Sequence, residues 1–61
     1  MIGFEDIVNS LVNGQFKQAI GMVKAMGWYR FTKELEQTEL LDTEDKLRYI
    51  CVMLRLDGEG T

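Results

Sequence analysis

Residues 4–27 read FEDIVNSLVNGQFKQAIGMVKAMG, and the spacing of their apolar members decides the fold class. Phe4, Ile7, Val8, Leu11 and Val12 recur at i, i+3, i+4, i+7 and i+8, which puts them on one face of a helix over residues 4–13. Glu5 and Asp6 fall in its first turn, where the unpaired backbone N–H groups favour acids. Asn13 and Gly14 tolerate left-handed backbone, so the helix is expected to stop there. Phe16, Ala19, Ile20, Val23 and Met26 then share one face of a second helix over residues 15–26, and Gly27 is its natural stop.

Outward from this hairpin the same period continues. Trp28, Phe31 and Leu35 mark the inner face of a third helix over residues 28–37, and Tyr29, about 100° round from Trp28, is expected to be exposed. Residues 37–41 carry no clear signal. Asp42 or Thr43 offers an N-cap for a last helix over residues 44–56, whose buried stripe is expected to be Leu47, Ile50, Cys51 and Leu54. Asp57 and Gly58 are expected to end it before a polar tail from about residue 57. The chain has no proline. The expectation is an all-α domain spanning residues 1–61, a compact bundle of three to four short helices.

A chain of 61 residues buries only about 60% of the surface its unfolded form exposes, so it needs a staple, tight helix packing or self-association. One cysteine and no histidine exclude an intramolecular disulfide and a Cys/His zinc site. They also exclude Ser-His and Cys-His catalysis. Cys51, within the apolar run Ile50 to Leu54, is expected to be a small buried hydrophobe. The neighbouring carboxylates Glu34/Glu36 and Glu44/Asp45 do not converge on one helix face, and no EF-hand or Gly-rich phosphate loop is present. No catalytic residue, metal or cofactor is expected, and the chain does not read as an enzyme. The first residues lack a basic region and long apolar core, and no run approaches membrane-spanning length, so a soluble cytoplasmic protein is expected.

The charges are sorted. Residues 7–33 carry Lys17, Lys24, Arg30 and Lys33 with no acid, and residues 34–45 carry Glu34, Glu36, Glu39, Asp42, Glu44 and Asp45 with no base. Helix electrostatics accounts for the acids that open the first and last helices, but the third runs against its dipole, with Arg30 and Lys33 early and its glutamates late. Two readings stay open: the charges are merely solvated faces, or something outside the helix compensates, whether another helix, a second copy or a foreign partner. Tyr29, Arg30, Lys33, Glu34, Glu36 and Glu39 are therefore the expected partner-binding face, since Tyr and Arg are enriched at binding hot spots. Tyr49, Val52, Met53 and Leu56 make the last helix apolar nearly all round; a homodimer through them would cover the surplus, and central packing in a compact monomer is the competing account.

Gly14, Phe16 and Ala19, continuing to Val23 and Ala25, resemble the second helix of a tetratricopeptide repeat, with Ile7 to Asn13 as the first. The resemblance covers about a third of the chain. It implies a helical hairpin, and because the second half has no repeat of the motif and no terminating proline, it does not imply a peptide-binding groove. Asn13-Gly14-Gln15 followed by Gln18-Ala19 resembles a motif in short helical proteins encoded by bacteriophages and prophages. That resemblance implies a small modulator or inhibitor of a host protein.

The leading expectation is a non-enzymatic protein-interaction module. One alternative is an acidic mimic of nucleic acid, using the acids of residues 34–45 to occupy a basic groove of an enzyme. Another is nucleic-acid binding through Lys17, Lys24, Arg30 and Lys33, against which stand a net charge of −3 and a pI near 4.7.

Overall fold

The computed structural model describes residues 3–59, which form α1 (Phe4–Val12), α2 (Phe16–Met26), α3 (Trp28–Gln37) and α4 (Thr43–Glu59). The all-α bundle expected from the spacing is the observed architecture. Gly3 precedes α1 and donates its backbone N–H to Asp6 Oδ2 at 2.9 Å. At the other end Gly14 takes φ 78°, the Gln15 N–H donates to the Ser10 carbonyl at 2.8 Å, and the Gly14 N–H to Leu11 at 3.1 Å. This pair of bonds closes a helix whose C′ residue is left-handed, and it turns the chain back on itself.

Between α2 and α3 a single residue, Gly27, makes the corner with φ 105° and ψ 129°. Side-chain-bearing residues hardly reach that backbone region. Gly27→Ala is therefore expected to cost about 2–3 kcal/mol, against about 1 kcal/mol for Gly14→Ala in the milder left-handed well. Neither added methyl meets a neighbour within 4 Å, so the whole difference is backbone strain. Urea midpoints of the two variants measure it, and equal losses would show that Gly27 is not held in this conformation.

The core takes Ile7 and Leu11 from α1, Ala19, Ile20 and Val23 from α2, Phe31 and Leu35 from α3, and Met53 from α4. α2 packs against all three other helices and is the hub. Phe31 is fully buried, with its ring centroid 5.7 Å from that of Phe4 and 6.4 Å, edge-on, from that of Trp28. Tyr29 is 75% exposed, as its place on the helix requires.

The uninformative stretch before α4 is a connection without regular structure. Thr38 ends α3 with extended backbone and its Oγ1 accepts the Leu40 N–H at 3.1 Å. Asp42, rather than Thr43, caps α4: its Oδ1 accepts the Asp45 N–H at 3.0 Å.

In α4 two expectations are corrected. The helix does not end at residue 56 but continues through Asp57 and Gly58 to Glu59. Asp57 is held by Lys24 of α2 at 2.7 Å, and Gly58 has no positive φ with which to terminate the turn. Gly60 and Thr61 of the expected tail lie outside the described residues. The rotation of α4 is also opposite to the expected one. Leu47 and Leu54 are 62% and 55% exposed, Cys51 is exposed rather than buried, and Ile50 lies at the edge of the core. The inner face is instead Tyr49, Met53 and Leu56, with Met53 completely enclosed.

The reason lies in the neighbours of each stripe. Glu44, Arg48 and Arg55 stand beside Leu47, Cys51 and Leu54, so burying that stripe would draw charges toward the interior. Apolar Ile50 and Val52 flank the Met53 face, and the charges on it, Lys46 and Asp57, lie toward its ends and are bonded to the Glu36 carbonyl and to Lys24. The observed rotation also stacks Tyr49 near Phe16, centroids 6.4 Å apart, and lets Asp57 meet Lys24.

Candidate functional site

The acids of residues 34–45 separate by role. Asp42 caps α4, and Asp45 in its first turn lies 3.8 Å from Arg48. Both are engaged in starting that helix. Glu36 points outward, while its backbone carbonyl, in the last turn of α3, accepts a hydrogen bond from Lys46 Nζ at 3.2 Å. A cation from α4 thus sits at the carbonyl end of α3 and supplies part of the compensation that the charge order of that helix demands. Lys33, midway along α3, lies 5.5 Å from the centre of the Tyr29 ring, an i, i+4 cation–π contact.

The six residues expected as one partner face are consequently divided. Tyr29, Lys33 and Glu36 share the outer side of α3, with Arg30 exposed at its edge. Glu34 and Glu39 belong to a different surface, an open groove of about 580 Å³ lined by Phe4, Glu5, Glu34, Gln37, Thr38, Glu39 and Leu40. The start of α1 forms one wall, and the end of α3 with the following connection forms the other. Phe4 is held in place by its ring contact with Phe31, so one wall of the groove is anchored directly in the core.

Three carboxylate residues line this groove, and one carboxylate is poorly satisfied. Glu34 Oε2 is buried and has no hydrogen-bond partner among the described residues. Arg30, one helical turn earlier, does not pair with it: the ion pairs among the described residues are Lys24 with Asp57 and Arg48 with Asp45. A carboxylate oxygen shut from water without a donor is costly, about 1–3 kcal/mol or more for a charged group. The groove is suited to a cationic group flanked by apolar surface, since Phe4 and the 59% exposed Leu40 border it.

Phe4 and Glu5 were not among the expected site residues. Their periodicity assigns them to the first turn of a core-facing helix, and only the packing of α1 beside α3 brings them to Glu34.

The basic residues do not form one patch. Lys24 is committed to Asp57, Lys33 to Tyr29, and Lys17 stands exposed on α2. Of the residues expected for self-association, Met53 is enclosed in the chain's own core, Tyr49 and Leu56 pack against it, and Val52 is half-buried. The exposed apolar side chains of α4 are on its other face. Among the described residues no group of His, Cys, Asp and Glu is arranged to hold a metal ion, and no helix is long and apolar enough to cross a membrane. Compared with models of protein families, with curated proteins and with solved structures, the chain matches none.

Proposed function

We propose that the protein is a small non-enzymatic interaction module that captures a cationic segment of a protein partner in the groove between α1 and α3. The observation that carries this reading is Glu34, which lines the groove with Glu5 and Glu39 and whose buried Oε2 has no partner among the described residues. A lysine or arginine side chain entering there supplies the missing donors, and an adjacent apolar residue covers Phe4 and Leu40. A charge-assisted hydrogen bond to a desolvated carboxylate is among the stronger polar contacts available to so small a surface. The resemblance to phage-encoded helical proteins would make the partner a host protein.

Titration of isotope-labelled protein with short peptides that place arginine next to leucine tests this reading by NMR. Amide shifts are expected to cluster at Phe4, Glu5, Glu34 and Thr38 to Leu40. They should be lost in Glu34→Gln and weakened at high salt, because exposed parts of the contact are screened over about 8–10 Å. Shifts spread over the whole surface, or unchanged in Glu34→Gln, would remove the groove as the binding site.

A further inference from the structure

α4 carries a second apolar stripe that its own chain leaves uncovered. Leu47, Cys51 and Leu54 follow one another at spacings of four and three residues, and all are exposed. That is the seam spacing of helices that pack along their length. Gly58 comes next on the same line, with open space where a Cβ would stand.

The charges beside the stripe identify what covers it. Glu44 at its start and Arg55 near its end lie on the same flank, and neither forms an ion pair within the chain among the described residues. They are eleven residues apart, about 16 Å along the axis. When two copies of α4 lie antiparallel about a twofold axis, like flanks face each other. Glu44 of one copy then meets Arg55 of the other, and the symmetry makes the pair twice. Cys51 falls across from Leu47 of the second copy. A parallel arrangement puts the two copies of this flank on opposite sides of the interface, so that Glu44 and Arg55 do not meet. Arg48, near the axis, already has Asp45 beside it in its own chain at 3.8 Å.

We infer that the outer face of α4 is a homodimer interface, in which a second copy of this chain packs antiparallel along Leu47, Cys51 and Leu54 and exchanges Glu44–Arg55 pairs. One helix face offers less than the about 800 Å² per partner of a standard interface, so the dimer is weak and concentration-dependent. It lies on a different helix from the groove, and either surface can fail its test without affecting the other.

Sedimentation equilibrium across the micromolar range is the experiment. The mass is expected to rise with concentration from 7.0 kDa toward twice that value. Leu54→Glu should hold it at the monomer mass while the helical circular dichroism is unchanged. Glu44→Arg alone should weaken association at least ~10-fold, as expected for like charges set opposite one another. Adding Arg55→Glu to it should restore the wild-type constant. The rate at which a thiol reagent modifies Cys51 should fall as the wild-type concentration rises. A constant monomer mass overturns the inference and leaves the stripe to a foreign partner. Dimerisation that survives Leu54→Glu overturns it in favour of another face, and failure of the double charge exchange overturns the antiparallel pairing.

Discussion

Replacing Phe31 with alanine is expected to leave the chain unfolded in water at room temperature. Phe31 is completely enclosed and is the largest of the fully buried side chains. Its ring joins Phe4 of α1 to Trp28 of its own helix. Truncating a buried phenylalanine typically costs about 3–5 kcal/mol, through lost transfer energy and the cavity left behind. A domain of 61 residues has about 3–9 kcal/mol in total. The expected readout is loss of most far-UV helical signal and of a cooperative urea transition. A cooperative transition within about 1 kcal/mol of wild type would mean that Phe31 does not tie α1 to α3 as its contacts indicate. The wall of the acidic groove depends on the same contact, so a partly folded Phe31 variant should also lose the peptide-induced shifts.

The second large effect distinguishes the two faces of α4. Met53→Glu puts a carboxylate into a fully enclosed site within the apolar core, and it is expected to unfold the protein. An unpaired buried charge costs several kcal/mol, which is most of the stability available. Leu54→Glu, one residue along, changes a side chain that is 55% exposed and should shift the monomer's stability by no more than about 0.5 kcal/mol. Urea denaturation of both variants at low protein concentration makes the comparison free of any contribution from association. Similar losses in the two would show that α4 is not rotated as described, and a greater loss in Leu54→Glu would restore the inner stripe expected from spacing alone.

These variants mark where the sequence is a sufficient guide and where it is not. α1, α2 and α3 each have one apolar face opposite a polar one, so the 3.6-residue period selects both the helix and its inner side. Asn13-Gly14 and Gly27 place the breaks, because glycine reaches the positive φ values of those corners without the strain a Cβ would bring. Tyr29 is exposed for the same reason that Phe31 is buried: both follow from their angle on one helix. α4 has apolar residues at nearly every angle, so its period is ambiguous. The useful signal is the width of each apolar arc and the charges at its borders. The arc holding Tyr49, Ile50, Val52, Met53 and Leu56 is the wider, and the Leu47 to Leu54 stripe is bordered by Glu44, Arg48 and Arg55. Cys51 belongs with that bordered stripe. The general tendency of cysteine toward burial does not outweigh the charges along one side of it.

The candidate site was legible only in part. Glu34 and Glu39 stand out in sequence as members of an acidic block, but nothing local distinguishes them from Glu36, Asp42 or Asp45. Their companions Phe4 and Glu5 are about thirty residues away in the chain. The relation between them exists only once α1 lies beside the end of α3.

The sequence by itself determined the all-α class, the breaks at Asn13-Gly14 and Gly27, and the inner faces of the first three helices. Those properties depend on backbone preferences and on side-chain angles within one helix, which are interactions between residues close along the chain. Tertiary structure decided three things. It set the rotation of α4, through Phe16 with Tyr49 and Lys24 with Asp57. It relieved the reversed charge order of α3, through Lys46 at the Glu36 carbonyl. It assembled the groove around Glu34, because a cavity and the field inside it belong to the space between elements and have no counterpart in any one of them.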